Sequence, residues 1–134
     1  MMRTIYTVGY STLTPQKLRG LVESTDSYLV DTRLVPYSKF NPAWRKAELR
    51  ELMGKNRYAW LGETLGNLNY KGGNIQIADI ETGLNHLERA LKLKNVILLC
   101  GCKDVTKCHR LVIAEAAIAA IERFGIIALE LKHL

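Results

Sequence analysis

The chain has 134 residues, fewer than the roughly 150 of a typical domain, so we expect a single domain spanning residues 1–134. Apolar residues make up 48% of the chain and charged residues 24%, close to the averages of globular proteins, which argues against a disordered, collagen-like or coiled-coil chain. The 19 Lys and Arg residues against 13 Asp and Glu residues give a net charge of +6, which bears on the choice of partner rather than on the fold.

The apolar stretches are too short to form membrane spans. Every strongly apolar run is far shorter than the about 18 to 20 residues that cross a bilayer. The first residues lack the charged, apolar and small-residue zones of a secretory signal. We therefore expect a cytoplasmic protein without a membrane partner, in which the thiols are reduced.

The first part of the chain predicts a strand, a helix and a second strand. Residues 4–8 are rich in β-branched and aromatic side chains, which is typical of a strand. Thr14 before Pro15 supplies a capping oxygen and a preset φ angle, which predicts that a helix begins at Pro15. Residues 28–30 form a second short predicted strand that leads into Asp31.

A second pair of capping residue and proline, Asn41 and Pro42, predicts another helix, which ends at Gly54. Residues 58–61 follow as a short predicted strand. The next stretch is rich in glycine and is predicted to be a long loop, a feature that is often functional in compact domains. Its glycines are Gly62, Gly66, Gly72 and Gly73.

The last part of the chain completes an alternating pattern. Asp79 is predicted to cap a third helix with an apolar face, and residues 95–100 form a continuous apolar run, typical of a central parallel strand. Asp104 is predicted to cap a long helix that continues to Phe124, and residues 126–131 supply the last strand. Strands that alternate with helices predict a single-domain α/β fold, a mostly parallel sheet of about five strands with helices on both faces.

A basic segment at residues 33–57 carries seven basic residues against two acidic ones, interleaved with aromatic residues. Basic side chains bind nucleic-acid phosphates, and aromatic faces stack unpaired bases. Arg45, Lys46 and Arg50 are therefore candidate nucleic-acid-binding residues. The alternative is that the segment is a solvated helix face whose aromatic residues pack inward.

All three cysteines lie close together, at Cys100, Cys102 and Cys108, and are followed by His109 and Arg110. In one interpretation, Cys100 or Cys102 is a nucleophile whose thiolate is stabilised by a helix N-terminus and by nearby cations. In a second, the cysteines pack as small apolar residues, or Cys102 and Cys108 pair on oxidation. In a third, the cysteines and His109 bind zinc.

The zinc interpretation is the weakest of the three from the sequence. The usual spacing of two to four residues within each ligand pair is missing. Cys108 and His109 are adjacent and, if both are helical, point about 100° apart, which makes it awkward for both to reach one ion. The sequence therefore predicts no metal site and no other cofactor.

The chain resembles the domain of unknown function 488 family over nearly its whole length. The resemblance rests on residues 7–12, 30–33, 36–38, 40–42, 65–66, 98–100 and 108–110. Seven residues match the family pattern position by position, namely Ser11, Asp31, Arg33, Cys100, Cys108, His109 and Arg110. The resemblance implies an α/β fold in which these residues surround a shared pocket, and it implies no particular reaction.

Ligands of parallel sheets bind beyond the carboxyl ends of the strands, which here selects residues 9–12, 31–33 and 100–102. We expect a pocket there for an anionic group, a phosphate on a small molecule, a nucleotide or a nucleic acid. The expected anion-binding residues are Ser11, Arg33 and Arg110.

Two functional hypotheses follow from these features. In the first, the pocket belongs to a cysteine-dependent enzyme that acts on nucleotides or nucleic acid, with Cys100 and His109 as catalytic groups and Asp31 orienting an arginine. In the second, the chain is a non-catalytic nucleic-acid-binding module that uses the basic segment at residues 33–57.

Overall fold

Five strands form one sheet in the computed structural model of the chain, which describes residues 1–101, 108–124 and 127–134. The strands are β1 (Met2–Gly9), β2 (Ser27–Asp31), β3 (Tyr58–Trp60), β4 (Asn95–Cys100) and β5 (Ala128–His133). Their order is β3-β2-β4-β1-β5, and every neighbouring pair is parallel. The predicted α/β fold with a parallel sheet is confirmed.

The α-helices in the described ranges are α1 (Pro15–Ser24), α2 (Lys46–Met53), α3 (Gly62–Leu65), α4 (Ile80–Leu91) and α5 (His109–Ile121). Short 3-10 turns follow β1, precede α2 and extend α5. Within the described ranges, no helix has both the length and the apolar character needed to cross a bilayer.

The side chains of β4 alternate between two hydrophobic cores. Val96 and Leu98 pack with α4 and α5, whereas Ile97 and Leu99 pack with α1 and α2. All four side chains are fully buried. Because β4 is covered on both faces, helices lie on both faces of the sheet, as the sequence predicts for its continuous apolar run.

Two predicted helix starts are confirmed by their caps. The hydroxyl oxygen of Thr14 accepts a hydrogen bond from the backbone N–H of Lys17 at 3.2 Å, and α1 begins at the following proline. A carboxylate oxygen of Asp79 accepts one from the N–H of Thr82 at 3.3 Å, at the start of α4. Both side chains satisfy an N–H that has no partner within its helix.

The prediction that a helix begins at Pro42 is wrong. One 3-10 turn covers Pro42–Trp44, and α2 begins only at Lys46, after an extended Arg45 with φ −70° and ψ 150°. Trp44 is 6% exposed and packs in the core, and the N–H of Lys46 bonds to the carbonyl of Pro36 at 2.9 Å. These two long-range anchors interrupt the helix that the local signal predicts.

The long glycine-rich loop is partly helical. Its first residues form the one-turn helix α3, and further along Asn67 and Ile77 form an isolated antiparallel bridge. The side-chain oxygen of Asn67 accepts hydrogen bonds from the backbone N–H groups of Asn69 and Gln76, both at 3.0 Å. One buried amide thus ties the two ends of the loop together.

Asp104, which the sequence predicts as the cap of the last helix, lies outside the described residues. Cys108 is extended, with φ −111° and ψ 142°, and α5 begins immediately after it at His109. The helical run then ends in a 3-10 turn at Glu122–Phe124, and β5 follows.

Candidate functional site

A cleft of about 610 Å³ lies at the carboxyl edge of the sheet. Tyr10 after β1, Arg33 after β2 and Gly101 after β4 all line it. The other aromatic, polar and charged residues of the described lining are Tyr37, Asn67, Asn69, Tyr70, Lys71 and His109. The cleft is therefore where the strand-end rule predicts a ligand site.

A buried ion pair fixes the arginine at this edge. Asp31, fully buried at the end of β2, accepts hydrogen bonds from Nε and Nη2 of Arg33, both at 2.8 Å. The hydroxyl of Tyr58 on β3 donates a further bond to Asp31 at 2.6 Å. Such paired, charge-assisted bonds are short and strong, so they hold the guanidinium in one orientation. Asp31 is thus paired with Arg33, and its orienting role in a binding site stays a prediction.

The protonation states of the cluster follow from its burial and charge. Burial opposes the charge of Arg33, but the hydrogen bonds and negative charge of Asp31 outweigh it and raise the pKa of the guanidinium. Burial, and then the charge of Asp31, raise the pKa of the Tyr58 hydroxyl well above its ordinary value. Tyr58 therefore remains a hydrogen-bond donor at neutral pH.

The backbone around Arg33 is held from the side of β3. The indole N–H of Trp60 donates to the carbonyl of Arg33 at 2.7 Å. Gly62 leaves room for this arrangement, since a Cβ there would lie 2.7 Å from Cε2 of Trp60. The guanidinium carbon of Arg33 lies 5.6 Å from the centre of the Tyr10 ring. Arg33 is thus positioned by both its side-chain and its backbone contacts.

His109 lines the cleft at the start of α5 and is 6% exposed. Its Nε2 lies 2.9 Å from the carbonyl of Thr32 and 3.0 Å from the Thr32 hydroxyl. A carbonyl only accepts hydrogen bonds, so Nε2 carries the proton and Nδ1 has the lone pair. Burial, and then the charge of Arg110, lower the pKa of His109, although the bond to Thr32 works in the opposite direction.

Cys100 and Arg110 do not belong to the described lining of the cleft. Cys100 is fully buried, and its sulfur accepts a hydrogen bond from Nη1 of Arg110 at 2.8 Å. The same sulfur is bonded to the sulfur of Cys108, so these two residues are not the reduced thiols that the sequence predicts. Arg110 is 4% exposed. The described cleft lining therefore does not contain the anion clamp of Arg33 and Arg110 that the sequence predicts. Arg110 is absent from the lining because its side chain turns toward Cys100 at the end of β4.

The remaining predicted site residues that the structure describes are not part of the cleft lining. Ser11 is exposed in the turn after β1, and Cys102 lies outside the described residues. Arg45 and Lys46 are half-buried, and Arg50 is exposed on α2. The guanidinium of Arg45 lies 4.2 Å from the centre of the Tyr37 ring, so this part of the basic segment borders the cleft.

Several residues that line the cleft have no functional signal of their own in the sequence. Tyr37 lies within the basic segment, and Tyr70, Lys71, Asn67 and Asn69 belong to none of the motifs described above. The useful signal was the glycine-rich stretch itself, because long loops in compact domains are often functional. In the structure this loop forms one wall of the cleft.

A scan against models of protein families and searches of curated proteins and of solved structures find no match to this chain. The resemblance to the domain of unknown function 488 family therefore stays a prediction.

Proposed function

We propose that the cleft binds a phosphate-bearing ligand with a planar ring, of the size and chemistry of a nucleotide. The observation that carries the proposal is the charge of the described lining, which includes Arg33 and Lys71 but no carboxylate. A volume of about 610 Å³ falls within the range of small-molecule sites. The proposal includes the cytoplasmic location expected from the sequence.

Arg33 is the group best suited to the phosphate. Asp31 engages Nε and Nη2 of its guanidinium, so Nη1 is the nitrogen that this carboxylate leaves for another acceptor. Because the buried pair already fixes the side chain, little rotamer freedom remains to be lost when a phosphate binds. Lys71 adds a second positive charge from the glycine-rich loop.

Tyrosines supply the surfaces for a planar ring. Tyr10 stacks on buried Trp44, with ring centres 4.9 Å apart and planes inclined by 28°. Tyr37 and Tyr70 are exposed and also line the cleft. Stacking of a base on an aromatic side chain contributes about 1–3 kcal/mol, which supports a nucleotide over a bare phosphate ion.

Calorimetric titration with adenosine 5′-monophosphate, adenosine and inorganic phosphate tests this proposal. We expect the nucleotide to bind more tightly than either fragment. Lys71→Glu should weaken nucleotide binding at least tenfold, a factor that corresponds to about 1.4 kcal/mol. Lys17→Glu is the matched control, since Lys17 is exposed on α1 and does not line the cleft. Equal affinity for nucleotide and nucleoside, or equal effects of the two variants, would count against phosphate binding in the cleft.

The proposal covers binding and assigns no reaction. The position of His109 in the lining is compatible with contact to a ligand, but Cys100 has no exposed surface. A ligand in the cleft therefore does not touch the sulfur in this conformation. The predicted cysteine-dependent chemistry gains no support from this arrangement.

A second candidate function is binding of single-stranded nucleic acid across the cleft and the basic segment. It is favoured by the pairing of Arg45 with Tyr37, because Tyr37 also lines the cleft. Lys46 similarly lies 4.3 Å from the ring centre of Trp60. Cations next to aromatic rings suit a strand whose phosphates and bases alternate.

Fluorescence anisotropy with a labelled single-stranded oligonucleotide separates the two candidates. A nucleic-acid-binding surface predicts that log affinity falls with log salt, with a slope of about −0.7 per phosphate contacted. The triple variant Arg45→Glu, Lys46→Glu, Arg50→Glu should then abolish binding of the oligonucleotide. If the triple variant leaves oligonucleotide binding unchanged, the basic segment is not the nucleic-acid-binding surface.

A further inference from the structure

Two cysteines and one histidine meet behind the cleft. Within the described residues, Cys100, Cys108 and His109 bring their ligand-type atoms within 4.8 Å of one another. Their exposed fractions are 0%, 1% and 6%. Two sulfurs and an imidazole nitrogen are the donor atoms that zinc prefers in proteins.

The convergence depends on the backbone of Cys108. The sequence argument against a metal assumed that Cys108 and His109 are both helical and point apart. Cys108 is instead extended, in the position before α5, and its sulfur lies 3.8 Å from Nδ1 of His109. Tetrahedral coordination with Zn–S near 2.3 Å and Zn–N near 2.0 Å requires a spacing of about 3.5 Å between sulfur and nitrogen, close to this distance.

The two cysteines are joined through their sulfurs in the structure, so zinc can bind here only after a thiol reductant has converted the pair to two thiols. Their α carbons are 7.6 Å apart, whereas disulfides usually span about 4.4–6.8 Å. This wide α-carbon spacing leaves room for the two reduced sulfurs to separate around an ion.

The surroundings of the three side chains favour metal ligation. The Nε2–H of His109 bonds to the carbonyl of Thr32, which leaves Nδ1 as the ligand atom, and metal-binding histidines are commonly oriented by such a bond. Nη1 of Arg110 donates to the sulfur of Cys100 at 2.8 Å, a contact that stabilises a thiolate. Zinc binding would release the two thiol protons, and its charge would balance the two buried thiolates.

We propose that Cys100, Cys108 and His109 bind one zinc ion. The described residues supply three protein ligands, the number found in zinc sites that keep a fourth position for water or a bound molecule. Because His109 also lines the cleft, the ion would lie beside the proposed ligand site. This inference does not depend on phosphate binding, and its test uses no phosphate ligand.

The first test measures metal content. Reduced full-length protein, equilibrated with zinc and then freed of unbound metal, should hold one zinc per chain by elemental analysis. Cys108→Ser and His109→Ala should each lose the ion. His86→Ala is the matched control, since His86 lies on α4 outside the cluster, and it should keep full loading. Unchanged loading in Cys108→Ser, or no zinc in the unaltered protein, would overturn the proposal.

A second test needs no variant and so is unaffected by misfolding. Replacing zinc by Co²⁺ in the unaltered protein should give a thiolate-to-cobalt charge-transfer band in the near ultraviolet and intense visible bands of tetrahedral cobalt. A cobalt spectrum without thiolate absorption would place the metal elsewhere and refute the site. Mass spectrometry that recovers a disulfide between Cys100 and Cys108 from zinc-treated protein would refute it as well.

Discussion

Removing the hydroxyl of Tyr58 should destabilise the protein through the ion pair at the end of β2. Tyr58→Phe preserves the ring, which is 5% exposed and packs in the core with α1 and α2. It deletes the hydrogen bond of 2.6 Å to a carboxylate oxygen of Asp31. The buried carboxylate then keeps its two side-chain bonds to Arg33 but leaves one acceptor position unfilled.

The size of the effect can be estimated from this geometry. A hydrogen bond to a charged group contributes about 1.5–3 kcal/mol to stability. Its loss is not offset when the acceptor stays buried and unsatisfied, because the acceptor then bonds neither to the protein nor to water. The ion pair itself survives, so the loss should stay below the roughly 3–5 kcal/mol that follows removal of one partner of a buried pair. We expect a decrease of about 2 kcal/mol in the free energy of unfolding.

Urea unfolding followed by circular dichroism measures this decrease. The slope of the unfolding free energy against urea concentration should stay the same, which shows that only the stability has changed. Tyr28→Phe is the control, because Tyr28 is half-buried and its hydroxyl bonds to no residue that the structure describes. The control should change stability by no more than about 0.5 kcal/mol. If both variants behave alike, the bond between Tyr58 and Asp31 does not hold the site together.

Three further predictions concern the same framework. Folding raises the pKa of Tyr58 above its ordinary value of 10.0, so as pH rises the unfolded chain loses this proton before the folded protein does. The free energy of unfolding should therefore fall as pH rises above 10.0, and this fall should be smaller in Tyr58→Phe. Gly62→Ala should lower the free energy of unfolding by about 1–3 kcal/mol, because the added methyl group would clash with the backbone carbonyl of Arg33 and with the indole of Trp60. Gly20→Ala, in open space on α1, should not lower it in the same unfolding assay. Thr14→Ala should lower the free energy of unfolding by about 1 kcal/mol in that assay, and Thr14→Ser should keep most of the stability. Equal stability of the two variants would show that the cap contributes nothing.

The architecture was predictable because its signals are local. A strand buried on both faces reads as an unbroken apolar run, and residues 95–100 are such a run at the centre of the sheet. Capping by Thr14 and Asp79 also acts within one turn, so the sequence alone locates those helix starts. The start of α2 was not predictable in this way, because the burial of Trp44 overrides the local signal.

The site was only partly predictable for a related reason. Strand ends select Arg33 and place Cys100 near the same edge, but topology does not determine which way a long side chain turns. Arg110 turns toward Cys100 and away from the cleft lining. Lys71 has no periodic pattern around it, and the loop that carries it is shaped by the hydrogen bonds of Asn67. Such contacts join residues that no local sequence signal connects.

The most direct test of the account is a crystal structure of the protein grown with adenosine 5′-monophosphate. We predict that the phosphate lies within hydrogen-bond distance of Arg33 or Lys71, with the adenine ring against one of the lining tyrosines. A nucleotide that binds outside the cleft, at Arg45 and Lys46 or elsewhere on the molecule, while the cleft stays empty would contradict the account.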